Sequence, residues 1–401
     1  MRTLTREEAR RFLLFHSGLL GERRFTGDAG ALEFVRQCGC IQFDPVDVCG
    51  RNAELTLASR VGGFTRDTLS RLLYSDRSLI DYPDKNLAII PAEDWPYFER
   101  YRASAMASGA RFEGLAELER FALDYIRENG PVSADTLPVS GKIRWYSAIH
   151  WSGSSHVESN AARSVLEQLY TSGELVIHHK QGSRKFYDLA SRCLSPALLA
   201  AGDPLPDEDD HRAWRVLRRI RAVGALWNRQ SDAFLNIPGM NRAAVRNGAF
   251  ERLLSRGEIS EARVEGLSAP LYIASSSIPL LEGLLSPSVP PLRGRCEFLS
   301  PLDPLLWDRR LIRELFGFDY TWEIYTPAEK RKYGVYTLPI LSGERFAGRI
   351  DAAADRRRGV LTVKNVYYES GVRRTKKLDA AISSAARRLA RLNGCKSVEY
   401  L

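Results

Sequence analysis

Two long stretches of the chain run through one order of elements, and that order limits the folds open to it. The first starts with "LAELERFALDYIREN", apolar at helical spacing and closed by Gly130 and Pro131. "VSADTL" follows as a short second helix. "SNAARSVLEQLYTSG" is a third, with Ala162, Val165, Leu166 and Leu169 on one face. "ELVIHHKQGSRKFYDL" then alternates as a β-hairpin turning near Gln181-Gly182. Three helices and a hairpin with Lys180, Arg184 and Lys185 around its tip make a winged helix. Its third helix is the recognition element if the unit touches DNA. The second stretch repeats the order: "DEDDHRAWRVLRRIRAVGALW", "RQSDAFLNI" and "NRAAVRNGAFERLLSRGEI" as helices, then "ISEARVEGLSAPLYIAS" as a strand pair. The two share element order and not residues, so the repeat is architectural. Pro-rich joints, "SPALLAAGDPLPDEDD" and "LLSPSVPPLRGR", lie around it.

The flanks differ. Thr5 with Glu8 three residues on forms a capping box, and Phe12, Leu13 and Leu20 sit at helical spacing behind it. A second helix runs from about Ala29 to Cys38, with Leu32 and Val35 inward. A short strand follows, so helix-helix-strand suits a further winged-helix unit. The stretch from "TWEIYTP" to "KNVYYE" alternates strongly, with turn residues at Gly334, Ser342-Gly343 and Gly359. It reads as antiparallel strands of a small barrel, closed by a helix in "LDAAISSAARRLARLN". The expected class is α+β: tandem winged-helix units with a C-terminal antiparallel β-barrel and terminal helix. The expected segments are 1–111, 112–200, 201–286 and 287–401, and 401 residues suffice for several cores.

Charge is uneven. From Ala328 onward there are 17 Lys and Arg against 7 Asp and Glu, a local +10 in a chain of net +9. A localised basic excess points to a polyanion partner, nucleic acid first. Six scattered cysteines (Cys38, Cys40, Cys49, Cys193, Cys296, Cys395) form no disulfide framework and fit a reducing cytoplasm. Cys38 and Cys40 lack the ligand spacing of a zinc site, so buried free thiols are expected and no metal or cofactor. The basic, amphipathic N-terminus carries Glu7 and Glu8 and no small-residue cleavage site, so it reads as the first helix of the fold. No apolar run approaches the roughly 20 residues of a membrane helix.

The chemistry concentrates in "IQFDPVDVCGRN". Alternation puts Ile41 and Phe43 on one face of a short strand and Gln42 and Asp44 on the other, with Pro45 ending the ladder. Polar side chains in a half-buried segment need a reason. A carboxylate takes a proton from water or orients it, and an amide fixes a second hydrogen bond. That pair suits hydrolysis through a cation-like transition state. Asp47 is a rival carboxylate beyond Pro45. Walker, GxSxG and HExxH motifs are absent. His178 and His179 alternate faces of one strand and would not share a ligand. The triplet Arg356, Arg357, Arg358 before Gly359 reads as a solvated turn, whereas Lys330, Arg331 and Lys332 followed by Tyr333 form a phosphate grip.

With these motifs in hand, the chain resembles the winged-helix DNA glycosylases of the YcaQ and AlkZ type over nearly its whole length. The resemblance rests on "QFDPVDV" followed by Arg51, and above all on "LSPLDPLLWDRRLIRELFGFDYTWEIYTPAEKRKYGVYTLPIL". It implies tandem winged helices around a basic channel, a C-terminal β-barrel, and release of alkylated purines from DNA, crosslinked guanines included. The YcaQ branch carries Gln-x-Asp and the AlkZ branch Gln-x-Gln, so the resemblance makes Gln42 and Asp44 the catalytic pair. An N7-alkylated guanine is cationic and leaves without being protonated. The enzyme must stabilise an oxocarbenium-like sugar and supply water, which a carboxylate and an amide can do. No lysine or terminal amine is needed, so a monofunctional reaction is expected. DNA contacts are expected from Arg51, Asn52, Lys85, Lys180, Arg184, Lys185, Lys330, Arg331 and Lys332. Two departures stand beside the site. Ala53 stands where the family has His or Gln, and "DYPDKNLAIIP" replaces a YWxHxAS-like motif, with Pro83, Lys85 and Ala88 in the matching places. Lys85 there is expected to hold a phosphate.

The leading expectation is a monofunctional DNA glycosylase for bulky N-alkylpurines or interstrand crosslinks. It would act on double-stranded DNA as a cytoplasmic, nucleoid-associated monomer. The alternative is a non-enzymatic winged-helix DNA-binding protein or transcriptional regulator. A regulator typically needs one winged helix and a dimer, whereas three units in one chain suit a clamp. A nuclease ranks last, because clustered metal carboxylates are missing.

Overall fold

The computed structural model describes residues 2–145, 158–288 and 290–401. Part of the 112–200 segment, and Val289 of the second Pro-rich joint, lie outside the described residues. The chain folds into two compact units, Met1–Leu69 with Glu208–Leu401, and Ser70–Asp207.

In the first unit the Thr5 capping box forms as expected. Thr5 Oγ1 accepts from the Glu8 amide at 3.2 Å, and Glu8 Oε2 accepts from the Thr5 amide at 2.8 Å, starting the helix Arg6–His16. The next helix is Gly27–Cys38. Ahead of both lies an unexpected strand, Arg2–Leu4, which pairs in parallel with Ile259–Val264. It extends the hairpin of Ile259–Val264 and Leu271–Ala274 into a four-stranded sheet ending on Ala225–Leu226. Three residues are too few to display alternation, so "RTL" carries no strand signal. The helices Glu208–Val223 and Ala243–Ser255 fall where their periodicity puts them. "RQSDAFLNI" does not form a helix. Only Asp232–Phe234 makes a 3₁₀ turn, because Asn236 turns the chain with φ +62° and Pro238 follows.

The C-terminal sheet is open, in place of the expected barrel. Its order is Cys296–Phe298, Thr337–Ser342, Arg345–Asp355, Val360–Tyr368, Ser397–Tyr400. The first four are antiparallel. The last, unexpected, returns through the helix Lys376–Leu392 and pairs in parallel with Val360–Tyr368. The edges belong to Cys296–Phe298 and Ser397–Tyr400, so the sheet is a curled half-barrel. Ile382, Ala386 and Leu389 of the helix pack with Leu338, Ile340, Ile350 and Leu361. Cys49 and Leu55, from far earlier in the chain, complete that core.

A buried ion pair locks the two ends of this unit together. Arg60 and Asp303 side chains are both 0% exposed and bind through two contacts, Nη1 to Oδ2 at 2.8 Å and Nη2 to Oδ1 at 2.6 Å. Arg60 Nη1 also donates to the Thr56 carbonyl at 3.0 Å, and the Leu305 amide donates to Asp303 Oδ1 at 3.0 Å.

In the second unit the helices Leu115–Asn129 and Ala161–Ser172 and the hairpin Leu175–Gln181 with Arg184–Leu189 match expectation, with the turn at Gly182-Ser183. "VSADTL" is a turn and not a helix. Thr136 Oγ1 accepts from the Ser133 amide at 2.8 Å, so the side chains satisfy the backbone locally and no helix propagates. His178 and His179 do not point apart: their Nδ1 atoms meet at 2.8 Å. Phe186 faces His179 and Tyr187 faces Ile177, which makes His178 the extra residue of a bulge and breaks the alternation.

Removing Asp303 leaves a buried guanidinium without its counter-charge. Asp303→Ala is expected to destabilise the chain by about 3–5 kcal/mol in urea unfolding. Asp303→Asn should cost less, since it keeps the acceptor for Leu305.

Candidate active site

The strand that carries the site is only Ile41–Gln42. Pro45 follows within three residues, and Asp44 Oδ1 accepts from the Val46 amide at 2.9 Å, folding the chain over itself. Gln42 is 2% and Asp44 4% exposed, while Ile41 is buried and Phe43 half-buried. Both faces of the segment are therefore covered, and the polar pair lies inside. Burial pushes the Asp44 carboxyl above its ordinary 3.8, and the Val46 amide offsets only part of that. Among the described residues no cation pairs with Asp44.

Asp47 is treated in the opposite way. Arg51 Nε lies 4.0 Å from its carboxylate, Arg66 Nη2 3.5 Å and Arg356 Nη2 2.5 Å, and the Gly50 amide donates to Oδ1 at 3.1 Å. Three guanidiniums and a backbone amide thus hold Asp47 in place. Arg356 therefore does more than cap a solvated turn, although Asp355 Oδ1 does bind the Arg357 and Arg358 amides there. Nothing local in the sequence signals this role, since Arg356 stands 309 residues from its partner.

The backbone around the pair is pinned from several directions. Asn52 Nδ2 donates to the Gln42 carbonyl at 2.8 Å, and Asn52 Oδ1 accepts from the Leu302 amide at 2.9 Å. The Ala354 amide donates to the Val48 carbonyl at 2.9 Å, Asn393 Nδ2 to the Cys49 carbonyl at 2.9 Å, and the Tyr336 hydroxyl to the Gly50 carbonyl at 3.1 Å. Gly50 sits at φ +123°, and a Cβ there would meet Leu55 at 2.8 Å, so the turn into the helix Asn52–Ala58 requires glycine.

The residues expected at DNA divide. Asn52 is 2% exposed with both amide atoms engaged, so it is a brace inside the protein. Arg51 is half-buried against Asp47 and Glu54. In the second unit Lys85 is 4% exposed, and Lys180 forms a buried ion pair with Asp81 at 2.5 Å. A lysine near a hairpin tip reads as exposed in sequence, but Asp81 draws this one inward. Lys185 lies 3.4 Å from Glu167, and Arg184 is exposed beside Asp135. Of the basic triplet, Lys330 and Lys332 are exposed, while Arg331 Nε donates to the Thr326 carbonyl at 2.8 Å. All six cysteines are free thiols, five of them buried.

The chain is a mixed α/β protein with a curled half-barrel sheet, and its buried Gln42 and Asp44 lie in the stretch just ahead of the helix Asn52–Ala58. The family model described as "DNA glycosylase AlkZ-like" matches residues 35–392, so the chain belongs to the AlkZ-like DNA glycosylase family. It is accordingly a hydrolase of N-glycosidic bonds, its substrate is DNA, and its work is DNA repair. The solved structure of the Streptomyces sahachiroi DNA glycosylase AlkZ superposes with a TM-score of 0.63 at 17% identity, covering 100% of both chains, which bears on the fold. Among the described residues no helix is long and apolar enough to cross a membrane.

The raised pKa of Asp44 has a sign that can be tested. Ionised Asp44 costs more in the folded chain than in the unfolded one, so the penalty is present above the folded pKa and vanishes below the unfolded value near 3.8. Asp44→Asn is expected to raise Tm at pH 7 to 8, with the gain shrinking as the pH falls towards 4. Thermal melts across that range measure it.

Proposed function

We propose that this chain is a monofunctional glycosylase for N7-alkylguanine and related N-alkylpurines, interstrand crosslinks included, with Asp44 and Gln42 as its catalytic pair. The observation that carries the reading is the contrast between two neighbouring carboxylates. Asp47 is neutralised by arginines, whereas Asp44 is desolvated and charge-unpaired. An unpaired carboxylate in a low-dielectric site interacts strongly with any cation that arrives, and the sugar becomes cationic as the bond breaks. A regulator would gain nothing from bearing that penalty.

In the proposed reaction the C1′–N9 bond breaks and its electrons pass to the purine, which neutralises the alkylated ring. The Asp44 carboxylate stabilises the oxocarbenium-like sugar. The Gln42 amide orients a water, the water oxygen bonds to C1′, and its proton passes to Asp44 and on to solvent. No lysine adds to the sugar, so the product is an abasic site. Phosphate contacts come from the exposed Lys330, Lys332 and Arg184. The wider reading keeps winged-helix units at 1–111, 112–200 and 201–286 and a C-terminal segment at 287–401, in a cytoplasmic, nucleoid-associated monomer.

Incubation with a duplex containing N7-methylguanine, followed by alkali, tests this directly. Strand breaks at the lesion are expected, and their absence would sink the substrate assignment. Asp44→Asn should slow single-turnover release by about 10² or more while binding holds, and Gln42→Ala should cost less. Affinity should fall steeply with salt. Lys330→Ala and Lys332→Ala should each lessen the salt slope by roughly one, and an unchanged slope means the side chain faces away from the backbone.

A further inference from the structure

Tyr325 is the most exposed aromatic side chain among the described residues, at 75%. It ends the 3₁₀ turn Glu323–Tyr325 inside the segment that carries Lys330 and Lys332. The segment is held rigidly. The Glu323 carboxylate accepts from the amides of Lys332 at 2.9 Å, Tyr333 at 2.8 Å and Gly334 at 3.0 Å. Arg331 Nε closes the loop on the Thr326 carbonyl at 2.8 Å. Trp322 meets Tyr325 edge-on at 6.0 Å and meets Tyr336 at 5.9 Å.

The same loop shares a core with the segment that carries Asp44. Trp322 and Val46 pack against one core, and the Val46 amide is the one bound to Asp44. Tyr336, in that core, bonds the Gly50 carbonyl. The Tyr325 phenol is held above its ordinary pKa by burial first and by the negative charge of Asp44 second. A solvent-facing ring held edge-on against Trp322, which shares a core with Val46, has no core of its own to fill.

We propose that Tyr325 is the platform on which the target purine stacks, and that its π-face selects cationic bases. The inference rests on the glycosylase reading above. Stacking on an aromatic face tolerates any base, but the ring quadrupole adds attraction for a positive one. The purine loses its charge as the bond breaks, so this attraction is spent on binding the lesion and not on the chemical step. Tyr325 therefore sets lesion affinity, and Asp44 sets the rate.

The experiment compares duplexes carrying N7-methylguanine, its neutral isostere 7-methyl-7-deazaguanine, or guanine. Affinity is read by anisotropy, and release of N7-methylguanine by single-turnover kinetics. Wild type should prefer the cationic base over the isostere. Tyr325→Ala and Tyr325→Leu should reduce that preference about tenfold and, by removing an attraction made only before the bond breaks, should raise rather than lower the rate at saturating enzyme. Tyr325→Phe, which keeps the π-face, should retain the preference. Tyr325→Leu separates the π-face from apolar area and serves if the alanine variant folds poorly. A wild-type preference in both Tyr325→Ala and Tyr325→Leu, with wild-type release, overturns the stacking role alone. Failure of the wild type to release any base overturns the functional reading and this inference with it.

Discussion

The ion pair between Arg60 and Asp303 is the contact on which the site depends. Both side chains are fully withdrawn from solvent, so each is tolerable only while the other is in place. The pair fixes the C-terminal end of the helix Asn52–Ala58 to the segment that follows Ser300. Asn52 does the same at the other end, through Leu302, and with its second amide atom holds the Gln42 carbonyl. One short helix clamped at both ends thus transmits the rigidity of a buried salt bridge to the backbone of the proposed catalytic pair.

Charge is then partitioned over four residues of chain. Cations gather on Asp47, where they order the loop without touching the chemistry. Asp44 is left to burial, and among the described residues only a backbone amide moderates its field. Had one of those guanidiniums reached Asp44, the attraction proposed for it towards a developing positive sugar would be spent in advance. A binding-only protein has no reason to keep one carboxylate bare beside one so thoroughly paired.

What the sequence showed well was local. The capping box at Thr5, the periodic helices and the hairpins at Gly182 and Ser342-Gly343 each depend on residues a few positions apart. The burial of Gln42 and Asp44 was legible for the same reason, as polar residues among Ile41, Phe43 and Val46. What escaped was set by distant partners. The strands Arg2–Leu4 and Ser397–Tyr400 exist because a sheet edge elsewhere accepts them. Lys180 turned inward because Asp81 waits 99 residues away, and Asn52 proved a brace because Leu302 supplies its other half. "VSADTL" and "RQSDAFLNI" failed as helices because Ser, Thr and Asn found nearer partners or a left-handed turn.

The bracing of the Gln42–Gly50 loop has a consequence for synthesis. Gln42 and Asp44 leave the ribosome early, but the groups that hold them arrive late: Leu302, Tyr336, Ala354 and finally Asn393. Ser70–Asp207 has its own core and can fold meanwhile, while the first 69 residues wait for partners beyond residue 207. Such high sequence separation slows assembly. It also means that a chain stopping short of Asn393 carries the proposed catalytic pair without its full support. The loop around the proposed pair thus lacks its last brace until Asn393 has been made.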